Sequence, residues 1–315
     1  MSSAATSDSK PSPLLVVGSV ALDTVETTTE RREDLLGGAA SFFSVAASFL
    51  APVRLTGVVG EDFPPEHVAF LGSHQVDLAG LERVAGRTFR WSGRYSQDCN
   101  VRTTLDTQLN VFQHFRPKLP PQWRESPYVF LANIDPELQL DVLSQVDRPR
   151  FVACDTMNYW IEGKREALER LLQKVDLLLI NDDEARLLAR HGNLPAAARA
   201  IRALGPRAVV IKRGDAGALL FHEGGVFAAP AFPLEAVVDP TGAGDSFAGG
   251  FMGWLARASV TTPADIRTAM ILGSVLASYS VEAFSLDRFR TLTLSDIRER
   301  FAAFVDLVHF EKIRL

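Results

Sequence analysis

The chain has few of the features that mark secreted, membrane-bound or nucleic-acid-binding proteins. Only Cys99 and Cys154 occur among 315 residues, too few for a disulfide framework. No uncharged apolar run approaches the ~20 residues that a membrane helix needs, and the polar first residues lack signal-peptide form. With a net charge of -5 and no cluster of Lys and Arg, the chain offers no basic field. We therefore expect a cytoplasmic protein, with neither nucleic acid nor a membrane as its partner.

The composition, 47% hydrophobic and 23% charged, is typical of a globular protein with a sizeable core. Short apolar runs typical of buried strands occur at 14–22, 54–60, 128–134, 150–155, 175–181 and 207–212. Helical patterns at 163–174 and 182–191 lie between the later runs, which predicts right-handed crossovers and a mainly parallel sheet. We expect a disordered tail over 1–13 and one α/β domain over 14–315.

One region departs from this α/β pattern. Segments 87–95 and 100–112 alternate apolar and polar residues with a period of two, which predicts an antiparallel hairpin. We expect a small β lid over the main sheet, inserted from roughly 24–36 and 86–116. Phe89, Trp91 and Tyr95 share one face of the hairpin, and this face predicts a homodimer through the lid.

The stretch Val238–Phe251, VDPTGAGDSFAGGF, combines an anion-binding turn with a carboxylate. Asp245 begins a predicted helix, and Gly242, Ala243 and Gly244 carry N–H groups without intrahelical partners, which form an anion hole. A carboxylate beside bound phosphate is repulsive unless a hydroxyl lies between them, in which case it acts as a general base. The structural alternative is that Asp245 only stabilises the start of the helix.

The motif DPTGAGDSFAGGF closely resembles the C-terminal signature of the ribokinase-type (PfkB) carbohydrate and nucleoside kinases. The resemblance extends over 14–315. It implies a three-layer α/β/α sandwich with a mainly parallel central sheet and a small β-sheet lid, ATP as donor, and Mg²⁺. In this family Asp245 would be the general base and Gly242, Ala243 and Gly244 the anion hole. Asp239 would lie near the monovalent-cation site, typically for K⁺, that many members use.

Two further segments resemble the nucleotide-binding parts of the family. INDDEARLL, residues 180–188, resembles its Asn-x-x-Glu element, so Asn181 and Glu184 would organise Mg²⁺ and the phosphates, largely through water. The same spacing also predicts a capping box at a strand-to-helix turn. VIKRGDAGALLF, residues 210–221, resembles the strand, turn and strand that hold the nucleotide, with Gly214 and Gly217 in the turn. Lys212 either contacts a phosphate there or is solvated.

The N-terminal half carries the segments that resemble the acceptor site. In GSVALD, Asp23 would bind substrate hydroxyls, or it is a polar residue that ends an edge strand. In GGAASFFSVAASF, Gly37 and Gly38 would let the substrate lie against the backbone. Asn133, in ANIDP at the end of a strand, is a further substrate contact or a turn residue.

Phe42 and Phe43 stand close to the position where the family commonly has a polar Asn. They form part of a core stripe, or they face the pocket and provide a stacking surface. The resemblance thus implies an ATP-dependent kinase acting on a hydroxyl of a small sugar. A nucleoside kinase and a non-catalytic sugar or nucleoside sensor are the alternatives. A dehydrogenase is disfavoured because VVGSVALD, residues 16–23, lacks GxGxxG.

Overall fold

The computed structural model describes residues 10–97, 99, 101–259 and 262–311. Its strands are β1 (Leu14–Val17), β2 (Ala21–Glu26), β3 (Arg31–Gly37), β4 (Val53–Gly60), β5 (Val76–Val84), β6 (Phe89–Tyr95), β7 (Arg102–Gln108), β8 (Tyr128–Leu131), β9 (Phe151–Asp155), β10 (Leu177–Asn181), β11 (Ala208–Lys212), β12 (Ala218–His222) and β13 (Gly225–Ala229). Its α-helices are α1 (Ala39–Ser48), α2 (Pro65–Ser73), α3 (Pro136–Ser144), α4 (Asn158–Gly163), α5 (Arg165–Leu172), α6 (Asp182–Ala189), α7 (Leu194–Ala203), α8 (Ala243–Ala258), α9 (Pro263–Ser280) and α10 (Leu294–Val308).

The described part of the chain is built around one large sheet with the strand order β13-β12-β11-β10-β9-β8-β1-β4-β5. The pairs from β11 to β5 are parallel, and β12 and β13 are added antiparallel at one edge. Successive side chains of β1 point to opposite faces: Leu14 and Val16 enter one hydrophobic core, and Leu15 and Val17 enter the other. Both faces are therefore buried, as expected for a parallel sheet.

The helices form a layer on each face of this sheet. Buried residues of α1, α2, α8, α9 and α10 enter the core that contains Leu14, and those of α3 to α7 enter the core that contains Leu15. The predicted three-layer α/β/α architecture is confirmed. Because parallel strands all end at one edge of the sheet, the residues after β9, β10 and β11 come together there.

A second, smaller sheet with the order β3-β2-β6-β7 forms the lid. The predicted hairpin is confirmed, since β6 and β7 pair antiparallel. The aromatic face of the hairpin is turned toward the body of the protein, because Tyr95 is buried and packs with Val25 and Phe284. That face is the one on which the predicted homodimer was based, and the dimer itself stays a prediction.

The apolar run 14–22, predicted as one strand, is divided between the two sheets. The chain leaves the main sheet after Val17 and re-enters strand structure in the lid at Ala21. Between them, Ser19 accepts hydrogen bonds from the first helical amides, through its side chain from Ala39 (3.0 Å) and through its carbonyl from Ala40 (3.0 Å). The start of α1 therefore requires the bend that interrupts the run.

The predicted tail falls on residues 1–9, which lie outside the described residues, and on 10–13, where the Ser12 N–H donates to the Ala256 carbonyl at 2.9 Å. Of the helices in the described ranges, none combines the length and the apolar character that crossing a bilayer requires.

Candidate active site

The loop that precedes α8 presents backbone amides at the start of a 16-residue helix. Gly242 has φ 73°, in the left-handed region, and a Cβ there would lie 2.2 Å from the Phe42 ring. The Ala243 N–H donates to the Pro240 carbonyl at 3.2 Å. Within the described residues, the amides of Gly242 and Gly244 donate to no protein acceptor. Of the predicted anion hole, Gly242 and Gly244 thus keep free donors, whereas the Ala243 amide is used within the loop.

The carboxylate of Asp245 lies in the first turn of α8. Burial raises the pKa of this carboxyl, and the positive charges of Lys212 and then Arg102 oppose the shift. In the part of the chain that the structure describes, no side chain forms a hydrogen bond or ion pair with the Asp245 carboxylate. A backbone hydrogen bond at Asp245 itself also opposes the rise of this pKa. A desolvated carboxylate that is bound by no other side chain is suited to accept a proton.

Lys212, at the end of β11, reaches the start of α8. A Cβ at Gly244 would lie 2.9 Å from the Lys212 Nζ, so the ammonium group is beside the free amides. The lysine is therefore not simply solvated.

One strand away, Asn181 caps α6: its Oδ1 accepts from the Glu184 N–H at 2.8 Å, and the Glu184 carboxylate accepts from the Asn181 N–H at 3.1 Å. The capping box is confirmed, and it fixes Glu184 at the same sheet edge.

Asp155, at the end of β9, is a buried carboxylate beside this group. It is 5% exposed, and its Oδ1 has no hydrogen-bond partner among the residues described. Burial and then the charge of Asp245 raise the pKa of Asp155 well above its ordinary value. Burial also raises the pKa of Glu184, which the charge of Lys212 opposes. The charge of Lys212 thus acts on three carboxylates, although no three His, Cys, Asp or Glu in the described ranges are grouped closely enough to bind a metal ion unaided.

The predicted acceptor-site residues from two separate segments come together at the lid. Asp23 lies within β2 and not at the end of a strand, and it is 5% exposed. A Cβ at Gly37 would lie 2.1 Å from the Asp23 Cγ, and a Cβ at Gly38, where φ is 90°, would lie 2.4 Å from the Ser19 carbonyl oxygen. Burial and then the charge of Asp239 raise the pKa of Asp23 to about 8. Gly37 therefore makes room for the Asp23 carboxyl group, and Gly38 makes room for the Ser19 carbonyl group.

Two lid residues, Tyr95 and Arg102, interact with the site. The sequence did not single them out for it. The Thr241 Oγ1 donates to the Tyr95 hydroxyl at 3.0 Å, which joins the lid to the loop before α8. Arg102 is directly opposite Tyr95 in the β6–β7 pair, so it shares the inward face. Its positive charge opposes the rise that burial causes in the pKa values of Asp245 and Glu184. The only signal for Arg102 in the sequence is its place in the alternating pattern of the hairpin.

The other predicted residues have structural contacts of their own. The Asp239 carboxylate accepts from the Thr241 N–H and the Ser285 N–H, each at 2.9 Å, and is fully buried. Gly214 and Gly217, with φ 55° and 78°, form the predicted turn between β11 and β12. The roles proposed for these three in cation and nucleotide binding stay predictions.

Asn133 is held by other side chains. Its Oδ1 accepts from the Trp160 Nε1 at 3.0 Å, and its Nδ2 contacts the Met157 Sδ at 3.2 Å. The structure therefore associates Asn133 with these residues, and its role in substrate binding stays a prediction. Phe42 and Phe43 are 2% and 0% exposed, and Phe43 stacks on Phe130 with ring centroids 4.3 Å apart. Both belong to the core and provide no stacking surface for a substrate.

Comparison with known proteins identifies the family and the fold of the chain. Residues 14–289 match the pfkB family carbohydrate kinase model. A cytidine kinase of Thermococcus kodakarensis is 31% identical over 250 residues, which cover 78% of this chain and 88% of that protein. A nucleoside kinase of Methanocaldococcus jannaschii has the same fold, with a TM-score of 0.75 at 20% identity over 93% of this chain and 99% of the other.

A nucleoside kinase of Burkholderia thailandensis, solved in complex with ADP-inosine, also shares the fold, with a TM-score of 0.72 at 18% identity over 93% of this chain and 96% of the other. The family match covers most of the chain, and the relatives are kinases. The chain therefore belongs to the pfkB family of carbohydrate kinases, which are phosphotransferases with an alcohol group as acceptor.

Proposed function

We propose that this protein transfers the γ-phosphoryl group of ATP to a hydroxyl of a nucleoside. The observation that carries the proposal is Asp245, a buried carboxylate that bonds to no described side chain, at the helix start where the Gly242 and Gly244 amides are free and the Lys212 ammonium group is close. The identity of 31% with a cytidine kinase favours a nucleoside over the free sugar expected first from the sequence. A non-catalytic sensor is disfavoured because it has no need of an unpaired base next to an anion site.

The acceptor binds under the lid. Asp23 accepts hydrogen bonds from substrate hydroxyls, and its cost of burial is offset when those hydroxyls replace water. Gly37 and Gly38 leave room for Asp23 and Ser19, since a Cβ at either position would lie within 2.4 Å of one of them, and the ribose lies against the Asp23 carboxyl group held there. The inward lid residues then cover the acceptor and exclude water, which would otherwise compete as a phosphoryl acceptor.

Asp245 removes the proton of the attacking hydroxyl. Its raised pKa brings it closer to neutral pH, where a general base is most effective. The proton moves to the carboxylate as the oxygen–phosphorus bond forms and the bond to the leaving ADP oxygen breaks. A base at this position typically contributes about 10²–10⁴-fold to the rate.

Negative charge on the transferring group is stabilised from two sides. The free amides of Gly242 and Gly244 and the positive end of α8 face it from the main domain, with Lys212 beside them. Arg102 faces it from the lid, so closing the lid brings a second cation to the site. The Lys212 ammonium group is partly buried, where a charge acts more strongly than in water, whereas Arg102 is exposed in this structure.

Mg²⁺ fits the carboxylates at the ends of β9 and β10. The unpartnered Oδ1 of Asp155 and the Glu184 carboxylate are oxygen ligands of the kind that Mg²⁺ prefers, and Asn181 fixes Glu184. When bound, Mg²⁺ neutralises phosphate charge and orients the γ-phosphoryl group. These residues would hold it largely through water.

The test is ATP consumption with a panel of acceptors, namely cytidine, uridine, adenosine, inosine, ribose and fructose, with the wild-type protein. We expect at least one nucleoside to stimulate ADP release far above the rate without acceptor. If only ribose or fructose stimulated ADP release, the acceptor would be a sugar and not a nucleoside. Nucleoside binding without any ATP turnover would instead indicate a sensor.

A further inference from the structure

A cavity lies away from the catalytic loop, where the lid joins the main domain. Its volume is about 530 Å³, within the range of about 300–1,000 Å³ typical of small-molecule sites. Its walls come from the end of β5 and from the segment after β7. These are the two connections through which the chain enters and leaves the β6–β7 hairpin of the lid.

The cavity is basic in a chain whose net charge is -5. Arg87, His114, Arg116 and Lys118 line it, against one carboxylate, Glu82. In the described ranges, Arg116 and Lys118 have no carboxylate within 4.0 Å, and the nearest one to Arg87 is Asp62 at 3.9 Å. Cations that are not neutralised by neighbouring carboxylates are available to bind an anion.

The remaining wall of the cavity is apolar. Phe115 and Val58 are each 2% exposed, and Val84, a large apolar side chain, is 38% exposed. A free inorganic ion would leave this wall in contact with water. A ligand that has both a phosphate group and an apolar ring matches both kinds of wall.

Direct contacts connect the cavity to the lid. The Phe115 ring stacks on Phe112, and Phe112 stacks on Phe89 at the start of β6, with centroid separations of 5.7 Å and 5.4 Å. The Val111 N–H donates to the Arg87 carbonyl at 3.1 Å, which ties the two lid connections together. A ligand against Phe115 and Val111 therefore contacts the segments that must move when the lid opens.

We propose that this cavity binds an organic phosphate and that the bound ligand favours the closed lid. In this structure the lid contacts the main domain through Tyr95 and Thr241, the state that we call closed, and the cavity is formed in that state. A ligand that binds one of two states more tightly shifts the population toward it. By linkage, an acceptor that closes the lid also strengthens phosphate binding at the hinge.

The test uses CMP, which would be the product under the proposed function, together with inorganic phosphate and cytidine as comparison probes. Each is titrated calorimetrically into the full chain with a non-hydrolysable ATP analogue present, and lid opening is followed by hydrogen exchange over 84–95 and 102–115. The variant is Arg116→Glu with Lys118→Glu. The control is Arg170→Glu with Lys174→Glu, an equal charge change at two exposed residues elsewhere.

We expect CMP to bind the wild type and the control at least tenfold more tightly than the cavity variant. We also expect CMP to slow hydrogen exchange in the lid only in the proteins that bind it. Equal binding and equal lid protection in all three proteins would overturn the proposal, as would the absence of CMP binding to the wild type. If inorganic phosphate bound as tightly as CMP, the proposed preference for an organic phosphate would be overturned. Neither readout needs turnover, so a failed kinase assay leaves the result interpretable.

Discussion

The hydroxyl of Tyr95, on the lid, lies 3.0 Å from the Thr241 Oγ1, on the loop that leads into α8. Burial raises the pKa of Tyr95 to about 12, so this hydroxyl stays neutral across the physiological pH range. The contact joins the part of the molecule that covers the acceptor to the part that carries the proposed base. Closure of the lid and alignment of the catalytic loop are therefore coupled through this pair.

Tyr95→Phe removes the contact and keeps the ring that packs beside Val25. A neutral hydrogen bond contributes about 0.5–1.5 kcal/mol, so we expect the closed lid to be disfavoured and the acceptor KM to rise about 3–10-fold. Steady-state kinetics with Tyr95→Phe, Thr241→Val and the double variant measure this. The account requires the double variant to resemble the single ones; additive effects would mean that the two hydroxyls act independently.

Arg102→Ala removes the cation that the lid brings to the phosphoryl site. We expect kcat to fall by about 10², comparable to the loss of one transition-state donor, and Arg102→Lys to recover part of it. Arg94→Ala is the matched control, because Arg94 is on the same sheet and pairs with Glu26 at 2.8 Å. A loss of the same size in the control would assign the effect to the stability of the lid.

Asp23 gives the fold a specific pH dependence. Its folded pKa of about 8 lies above the ordinary 3.8, so the folded state favours the protonated form and its ionisation reduces stability as pH rises from 3.8 through 8. We expect Asp23→Asn to raise the Tm more at pH 8 than at pH 5, while acceptor binding weakens. Thermal unfolding at the two pH values measures this; an equal or smaller gain at pH 8 would contradict the assignment.

Gly37→Ala places a methyl group 2.1 Å from the Asp23 Cγ. The carboxyl must move, so we expect the acceptor KM to rise more than about tenfold while ATP affinity stays unchanged. Gly72→Ala is the control, since a Cβ there meets nothing within 4 Å, and it should stabilise α2 by about 0.5–1 kcal/mol. Weakened ATP binding by Gly37→Ala would mean that the substitution disturbs more than the acceptor site.

The sequence predicted the parts of the site that depend on local patterns. The start of α8, the Asn181–Glu184 capping box and the glycine turn at 214–217 each follow from residues close together in the chain. Arg102 was not predicted, because its position at the site depends on how the lid packs on the loop at 238–242. The direction of the Tyr95 face could not be read either, since alternation defines two faces without saying which one is buried.

The run 14–22 was misread for a related reason. Its apolar residues satisfy a strand pattern throughout, yet the hydrogen bonds that Ser19 accepts from α1 come from a segment 20 residues away. The position of Asp155 was predicted only in part. The sequence placed it at a strand end, and only the packed structure showed its unpartnered oxygen beside Asp245 and Lys212.

The most direct test of the account is the turnover of Asp245→Asn, which keeps the shape of the side chain and removes the base. We predict that kcat falls by about 10²–10⁴-fold while the affinities for ATP and acceptor change little. Asp183→Asn, an exposed acidic residue in the first turn of α6, serves as the control for effects of charge at a helix start and should leave kcat unchanged. A kcat for Asp245→Asn within a few-fold of the wild type would contradict the proposed proton transfer.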